Sequence, residues 1–175
     1  MPEIDLRSRS ISPQHNVYFV RPGKNYHLYQ PFVHSEAIIA DLPFLELQRG
    51  VALEEQASVI NRIHRSRAIR NWYRGDRENA FPSRDLSVYP DNVRDLGISQ
   101  LKSVVERYFS EAKKGDLVLV IPGSITSDAY IGELTGEPSD IITLSYEYVY
   151  NNEPLQGRKV KWLATTKKNL WPILY

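Results

Sequence analysis

The sequence predicts an α+β domain: a small, mainly antiparallel, barrel-like sheet flanked by two main helices. Strand-forming runs lie early, at Asn16–Val20, and late, at Leu117–Ile121, Tyr130–Leu134, Ile141–Tyr150 and Arg158–Ala164. The two helical patterns, Leu53–Asn71 and Ser99–Lys113, fall between them. Strands and helices arranged in blocks, rather than in alternation, argue against a parallel sheet of βαβ units.

The stretch Lys114–Gly136, KGDLVLVIPGSITSDAYIGELTG, organises the rest. Gly115-Asp116 is a turn signal, with Asp116 expected to cap it. Leu117–Ile121 is an unbroken apolar run of strand length, and Pro122-Gly123 stops it. A polar loop, Ser124–Asp128, leads to a second strand that contains Gly132. Two strands joined by such a loop read as a hairpin. The first is apolar on both faces and so should be buried on both. Gly132 predicts a bulge or a close approach by another group.

The remaining elements are read in order. Met1–His15 has no period and reads as a loose arm ahead of a single domain over 16–175. NVYFV at Asn16–Val20 has high β-propensity, and Arg21–Asn25 turns the chain. Ala37–Ala40 is apolar and is broken by Asp41-Leu42-Pro43. In Leu53–Asn71, Leu53, Ala57, Ile60 and Ile63 repeat at helical spacing, and Gly75 is a stop signal. Glu78–Asn92 reads as a loop holding a short strand at Leu86–Tyr89. In Ser99–Lys113 the stripe is Leu101, Val104, Val105, Tyr108 and Phe109. Ile141–Tyr150 reads as one long strand, and Arg158–Ala164 as the last.

Composition narrows the function classes. An apolar fraction of 42% with 25% charged residues is that of a globular protein with a real core. A net charge of +1 leaves any basic footprint local. The absence of cysteine excludes disulfides, thiolate metal sites and a cysteine nucleophile, and agrees with a cytoplasmic setting. No run is long and apolar enough to span a membrane. The apolar end Leu170–Tyr175 suggests either a longer protein or an oligomer contact. His15, His27, His34 and His64 are not at metal-ligand spacing, and no Gly-x-Ser-x-Gly or phosphate-binding loop occurs. No catalytic set, metal or cofactor is therefore expected, and the chain reads as a binding module rather than an enzyme.

The clearest electrostatic feature lies between Asn61 and Arg77, where six arginines face one acid, Asp76. Guanidinium forks fit phosphate oxygens, so Arg62, Arg67, Arg70, Arg74 and Arg77 are the expected phosphate contacts. The competing reading is a solvated face paired with Glu54, Glu55 and Glu78. Trp72 and Tyr73 sit among these arginines and read as core or as stacking platforms.

Three blocks, in order, carry a family resemblance: VYFVRPGKNYHLYQPFVHSEAIIA, ISQLKSVVERYFSEAKKGDLVLVIP, and YIGELTGE followed by RKVKWL. The set resembles the N-terminal domain associated with Mrr-type restriction endonucleases and related bacterial defence proteins, and more widely the PUA, EVE and YTH-like group. The resemblance implies a small β-barrel with a cleft that holds a nucleobase, often a modified one turned out of the helix. Two features depart from the family pattern. Ile39-Ala40-Asp41-Leu42-Pro43 stands where the restriction family tends to have Ile-Gly-Trp, and Pro22 stands where a small residue is usual. The Mrr-type catalytic centre needs a Glu/Gln-x-Lys, and Gln156-Gly157-Arg158 lacks the lysine.

On this basis the base pocket is expected at Arg21, Gly23, Asn25 and Tyr26, joined by Gln100 and by Ser124 from the hairpin loop. The implied function is a DNA-recognition module of a restriction or anti-phage defence protein. Catalysis would belong to another domain or subunit, with a nuclease or helicase the expected partner. The alternatives are a protein-interaction domain of a defence complex and a sensor of a small nucleotide.

Overall fold

The computed structural model describes residues 14–75, 77–123 and 127–167. Residues 1–13 of the expected arm over 1–15, Ser124 and the apolar end Leu170–Tyr175 lie outside the described residues. Six strands, β1 (Val17–Val20), β2 (Ala37–Ile39), β3 (Leu117–Val120), β4 (Asp128–Leu134), β5 (Ile141–Leu144) and β6 (Leu155–Lys167), form one sheet. Its order is β1-β3-β4-β6-β2, with β5 also on β6. The sheet is a curled, mostly antiparallel half-barrel accompanied by two main helices. These are α2 (Val59–Arg74) and α3 (Leu96–Glu106), and a short α1 spans Tyr29–His34.

The expected hairpin is present: β3 pairs antiparallel with β4, Leu119 opposite Ile131. The one parallel pair is β1 with β3, Val17 opposite Leu117 through Val20 opposite Val120. A parallel pair needs a long crossover, and here both helices lie in it. Asp116 ties the two strands: its carboxylate accepts from the amides of Asn16 at 2.9 Å and Lys113 at 2.8 Å. The irregularity expected at Gly132 is a register shift between Ile131 and Gly132 against β6. The Trp162 ring packs over it, and a Cβ at Gly132 would fall 2.8 Å from that ring.

The length of β6 explains how one strand serves three neighbours. Its second half pairs with β4, and Arg158 in its first half lies opposite both Ile38 of β2 and Ile141 of β5. Gly157 lies opposite Ile39 and Ile142, and a Cβ there would fall 2.2 Å from the Ile38 carbonyl oxygen. Gln156 pairs with both backbone groups of Leu47, accepting at 2.7 Å and donating at 2.9 Å. Arg158 is buried and donates to the carbonyls of Tyr108, Ala112 and Gly136 at 2.7, 3.0 and 2.6 Å. It thereby satisfies carbonyls at the end of the α3 segment, which continues through a wider π turn over Arg107–Glu111. Phe32, Ile38, Leu45, Ile63, Val105 and Phe109 belong to the surrounding core. Burying each such side chain contributes about 1.5–3 kcal/mol.

Several sequence expectations are corrected. The helix expected from Leu53 begins at Val59. Leu53–Glu55 is a single 3-10 turn, and Ser58 interrupts with φ 59°. Gln56 also holds the preceding loop through the Gln48 and Val51 backbone. Leu53 and Ala57 therefore do not share a helical face with Ile63. The second helix begins earlier than expected, at Leu96, because the Asp95 carboxylate caps the Ile98 amide at 2.9 Å. Leu86–Val88 is a 3-10 turn capped by Asp85, not a strand. The long strand Ile141–Tyr150 stops at Leu144, which lies opposite Leu155, the first residue of β6. Beyond it there is no β6 left to pair with. The chain instead folds back through Tyr150, Asn151 and Asn152 with φ of 52°, 48° and 64°.

Candidate functional site

A cleft of about 640 Å³ opens between the turn after β1, the end of α2 with its following loop, and the segment Glu147–Asn151. Its aromatic lining comes from Trp72, Tyr73, Phe81, Tyr148 and Tyr150, its basic side chains are Lys24, Arg74 and Arg77, and His27 also lines it. Local folding brings the rings together. The Trp72 indole N–H donates to the Asn79 carbonyl at 2.9 Å, folding the loop back after α2. Phe81 then meets Trp72 edge-on at 4.9 Å, and Trp72 meets Tyr73 at 5.0 Å. The Arg77 guanidinium lies 5.9 Å from both the Trp72 and Tyr73 ring centres. Tyr148 is 69% exposed and stands at the rim.

Asp41 anchors this cleft from below. Its carboxylate accepts from the Tyr150 hydroxyl at 2.5 Å, from the Lys24 amide at 3.3 Å and from the Arg74 guanidinium. His27 Nε2 lies 3.2 Å from the same carboxylate, within ion-pair range but poorly aligned for a hydrogen bond. Burial alone would raise the Asp41 pKa. The close His27 imidazole, the Tyr150 hydrogen bond and the nearby positive charges outweigh it and hold the carboxyl well below its usual range. Burial and the adjacent Asp41 charge push the Tyr150 hydroxyl up. For His27, burial opposes charging, but the Asp41 and Lys24 contacts prevail and raise its pKa. Nδ1–H donates to the Lys24 carbonyl at 2.7 Å, which leaves Nε2 toward the carboxylate. The imidazolium form suits both contacts.

The six arginines divide by environment. Arg74 and Arg77 line the cleft. Arg62 donates to the Glu46 carbonyl at 2.5 Å. Arg65 is buried, pairs with Glu46 at 2.8 Å and lies 4.5 Å over the Phe44 ring. Arg67 Nη1 donates to both carboxylate oxygens of Asp95 at 2.8 Å. Arg70 donates to the Asp41 carbonyl at 3.2 Å. Among the described residues the acids paired with this helix are Asp41, Glu46 and Asp95, not Glu54, Glu55 and Glu78. Glu54 instead accepts from the Ser110 hydroxyl.

The expected base-pocket residues are placed as follows. Val20 and Val120 are parallel neighbours, so the turn after β1 and the loop after β3 emerge at the same end of the sheet. The Tyr26 ring lies on Gly123, where a Cβ would fall 2.3 Å from it. Arg21 stacks on the other partner of this contact, its guanidinium 5.0 Å from the Tyr26 centroid. Gly23 has φ 69°, and a Cβ there would also meet the His27 ring at 2.5 Å. Of the described members of this set only Asn25 lines the aromatic cleft. Gln100 is exposed on α3 and does not line it. Asp41 was visible in the sequence only as a strand breaker, and Tyr148 and Tyr150 as strand residues. Phe81 carried no local signal.

Among the described residues no helix is long and apolar enough to cross a membrane, and no group of three or more histidines and acids is placed to hold a metal ion. Compared with protein-family models, curated proteins and solved structures, the chain matches none.

Proposed function

We propose that this domain recognises DNA by taking one unstacked base into the aromatic cleft, with phosphates held at the cationic rim. The observation that carries the reading is the joint lining of one cleft, among the described residues, by five aromatic rings, His27 and the cations Lys24, Arg74 and Arg77, against one acid, Glu147. Extruding a base costs a few kcal/mol. Stacking on one aromatic side chain is worth about 1–3 kcal/mol, so two faces and a phosphate contact can offset it. The Asp41 carboxylate is occupied by its own donors and adds little repulsion at the floor. The three sequence blocks support placing the domain in a bacterial restriction or defence protein. In that setting it supplies recognition and a nuclease or helicase partner supplies the chemistry.

The test is the salt dependence of binding to a labelled oligodeoxynucleotide. Affinity should fall linearly with salt on logarithmic axes, and Arg77→Ala should lower the slope by roughly one unit. Binding that ignores salt, or that is missing altogether, would remove the DNA reading and favour a protein-interaction domain.

A further inference from the structure

Asp41, whose carboxylate is held by cleft residues, also lines a second cavity of about 240 Å³. Three arginines from three elements line this cavity: Arg21 after β1, Arg70 in α2 and Arg107 in the turn after α3. Leu101 and Val104 contribute an apolar wall. Among the described residues the only acid in the lining is Asp41, and it is already engaged with Tyr150 and Arg74.

The arginines retain unused donors. Arg107 is exposed and forms no ion pair among the described residues. Arg21 stacks on Tyr26. Arg70 gives one N–H to the Asp41 carbonyl, while its buried Nε has no hydrogen-bond partner. A concave site with three cations and a single committed acid concentrates positive potential. A buried donor without a partner is unfavourable until an acceptor arrives. Three guanidinium-bearing side chains around one cavity carry more N–H groups than the two oxygens of a carboxylate can accept. A tetrahedral oxyanion matches them better.

We propose that this pocket binds a phosphate-class oxyanion, and that it does so whether or not the aromatic cleft takes a base. The source is either the backbone of a bound strand or a free phosphate compound.

The probe is inorganic pyrophosphate, followed by calorimetric titration and thermal shift at constant ionic strength set with sodium chloride. The wild-type protein should show saturable binding and stabilisation. Arg107→Ala and Arg21→Ala should each weaken binding at least about fivefold, as expected for loss of one charge-assisted contact of about 1 kcal/mol or more. Arg107 is exposed, so its removal leaves the fold intact. Tyr148→Ala, on the aromatic cleft, should bind pyrophosphate as the wild type does. That separates failure of this pocket from failure of the cleft reading. Competition by a 5′-phosphorylated oligothymidylate would assign the pocket to strand phosphates, and persistence of pyrophosphate binding would assign it to a free compound; both support the pocket. A wild-type response no greater than that to chloride, or unchanged affinity in Arg107→Ala, overturns it.

Discussion

The Tyr150 hydroxyl donates to the Asp41 carboxylate at 2.5 Å, joining segments 109 residues apart. The contact ties the turn after β5 to the loop after β2, and Asp41 there also holds Arg74 and the Lys24 amide, so one carboxylate joins all three segments that line the cleft. Replacing Asp41 by Asn would leave Arg74 and His27 without their counter-charge. Removing one partner from a buried charged network typically costs about 3–5 kcal/mol. Partial exposure of Arg74 reduces that, so Asp41→Asn should lose roughly 2–4 kcal/mol by urea denaturation. Tyr150→Phe should lose about 1.5–3 kcal/mol, the range for a hydrogen bond to a charged group. Stabilities indistinguishable from wild type would show that the cluster does not hold the cleft.

The same cluster predicts a pH dependence. His27 has a folded pKa raised above its ordinary value of 6.5. Its contribution is fully present below that value and is lost as pH rises through the folded pKa. Asp41 has a folded pKa lowered from 3.8. Its contribution is present above that value and is lost as pH falls through the folded pKa. Stability should therefore be greatest between these two values and decline toward alkaline pH. Denaturation at pH 5.5 and 8.5, wild type against His27→Gln, checks this. The variant should lose part of the alkaline decline, and an identical decline would detach His27 from the cluster.

Two adjacent residues of β6 should be intolerant for different reasons. Gly157→Ala puts a methyl group 2.2 Å from the Ile38 carbonyl oxygen, with strands on both sides preventing relief. Overpacking of this kind costs about 1–3 kcal/mol, occasionally more. Arg158→Met removes the partner of three carbonyls. Leaving buried acceptors unsatisfied costs about 1–3 kcal/mol each, with water recovering part of it. Thermal melts that match wild type would contradict the tight three-strand junction.

The sequence made local features legible and long-range ones obscure. The hairpin, the bulge at Gly132 and the cap at Asp116 follow from turn residues and apolar runs, and all are present. The end of α2 at Arg74 followed from Gly75. The start of that helix was misjudged because Leu53 and Ile63 fit one period across an interruption at Ser58 that propensity does not reveal. The site was harder. Its floor joins Asp41 to Tyr150 and Arg74, and no local period encodes such pairings. Tyr148 and Tyr150 alternate as a strand would, yet β6 is too short on that side to extend β5.

The most direct test of the central claim is fluorescence anisotropy of paired labelled duplexes, one unmodified and one carrying a modified base, against wild type and Tyr148→Ala. Tyr148 is 69% exposed, so its truncation leaves the core untouched. If the cleft stacks a flipped base, Tyr148→Ala should weaken binding of the preferred duplex by roughly 5- to 150-fold, the equivalent of about 1–3 kcal/mol. Binding held only by phosphates should barely change. Equal affinities of wild type and variant for the preferred duplex would contradict a base in the cleft.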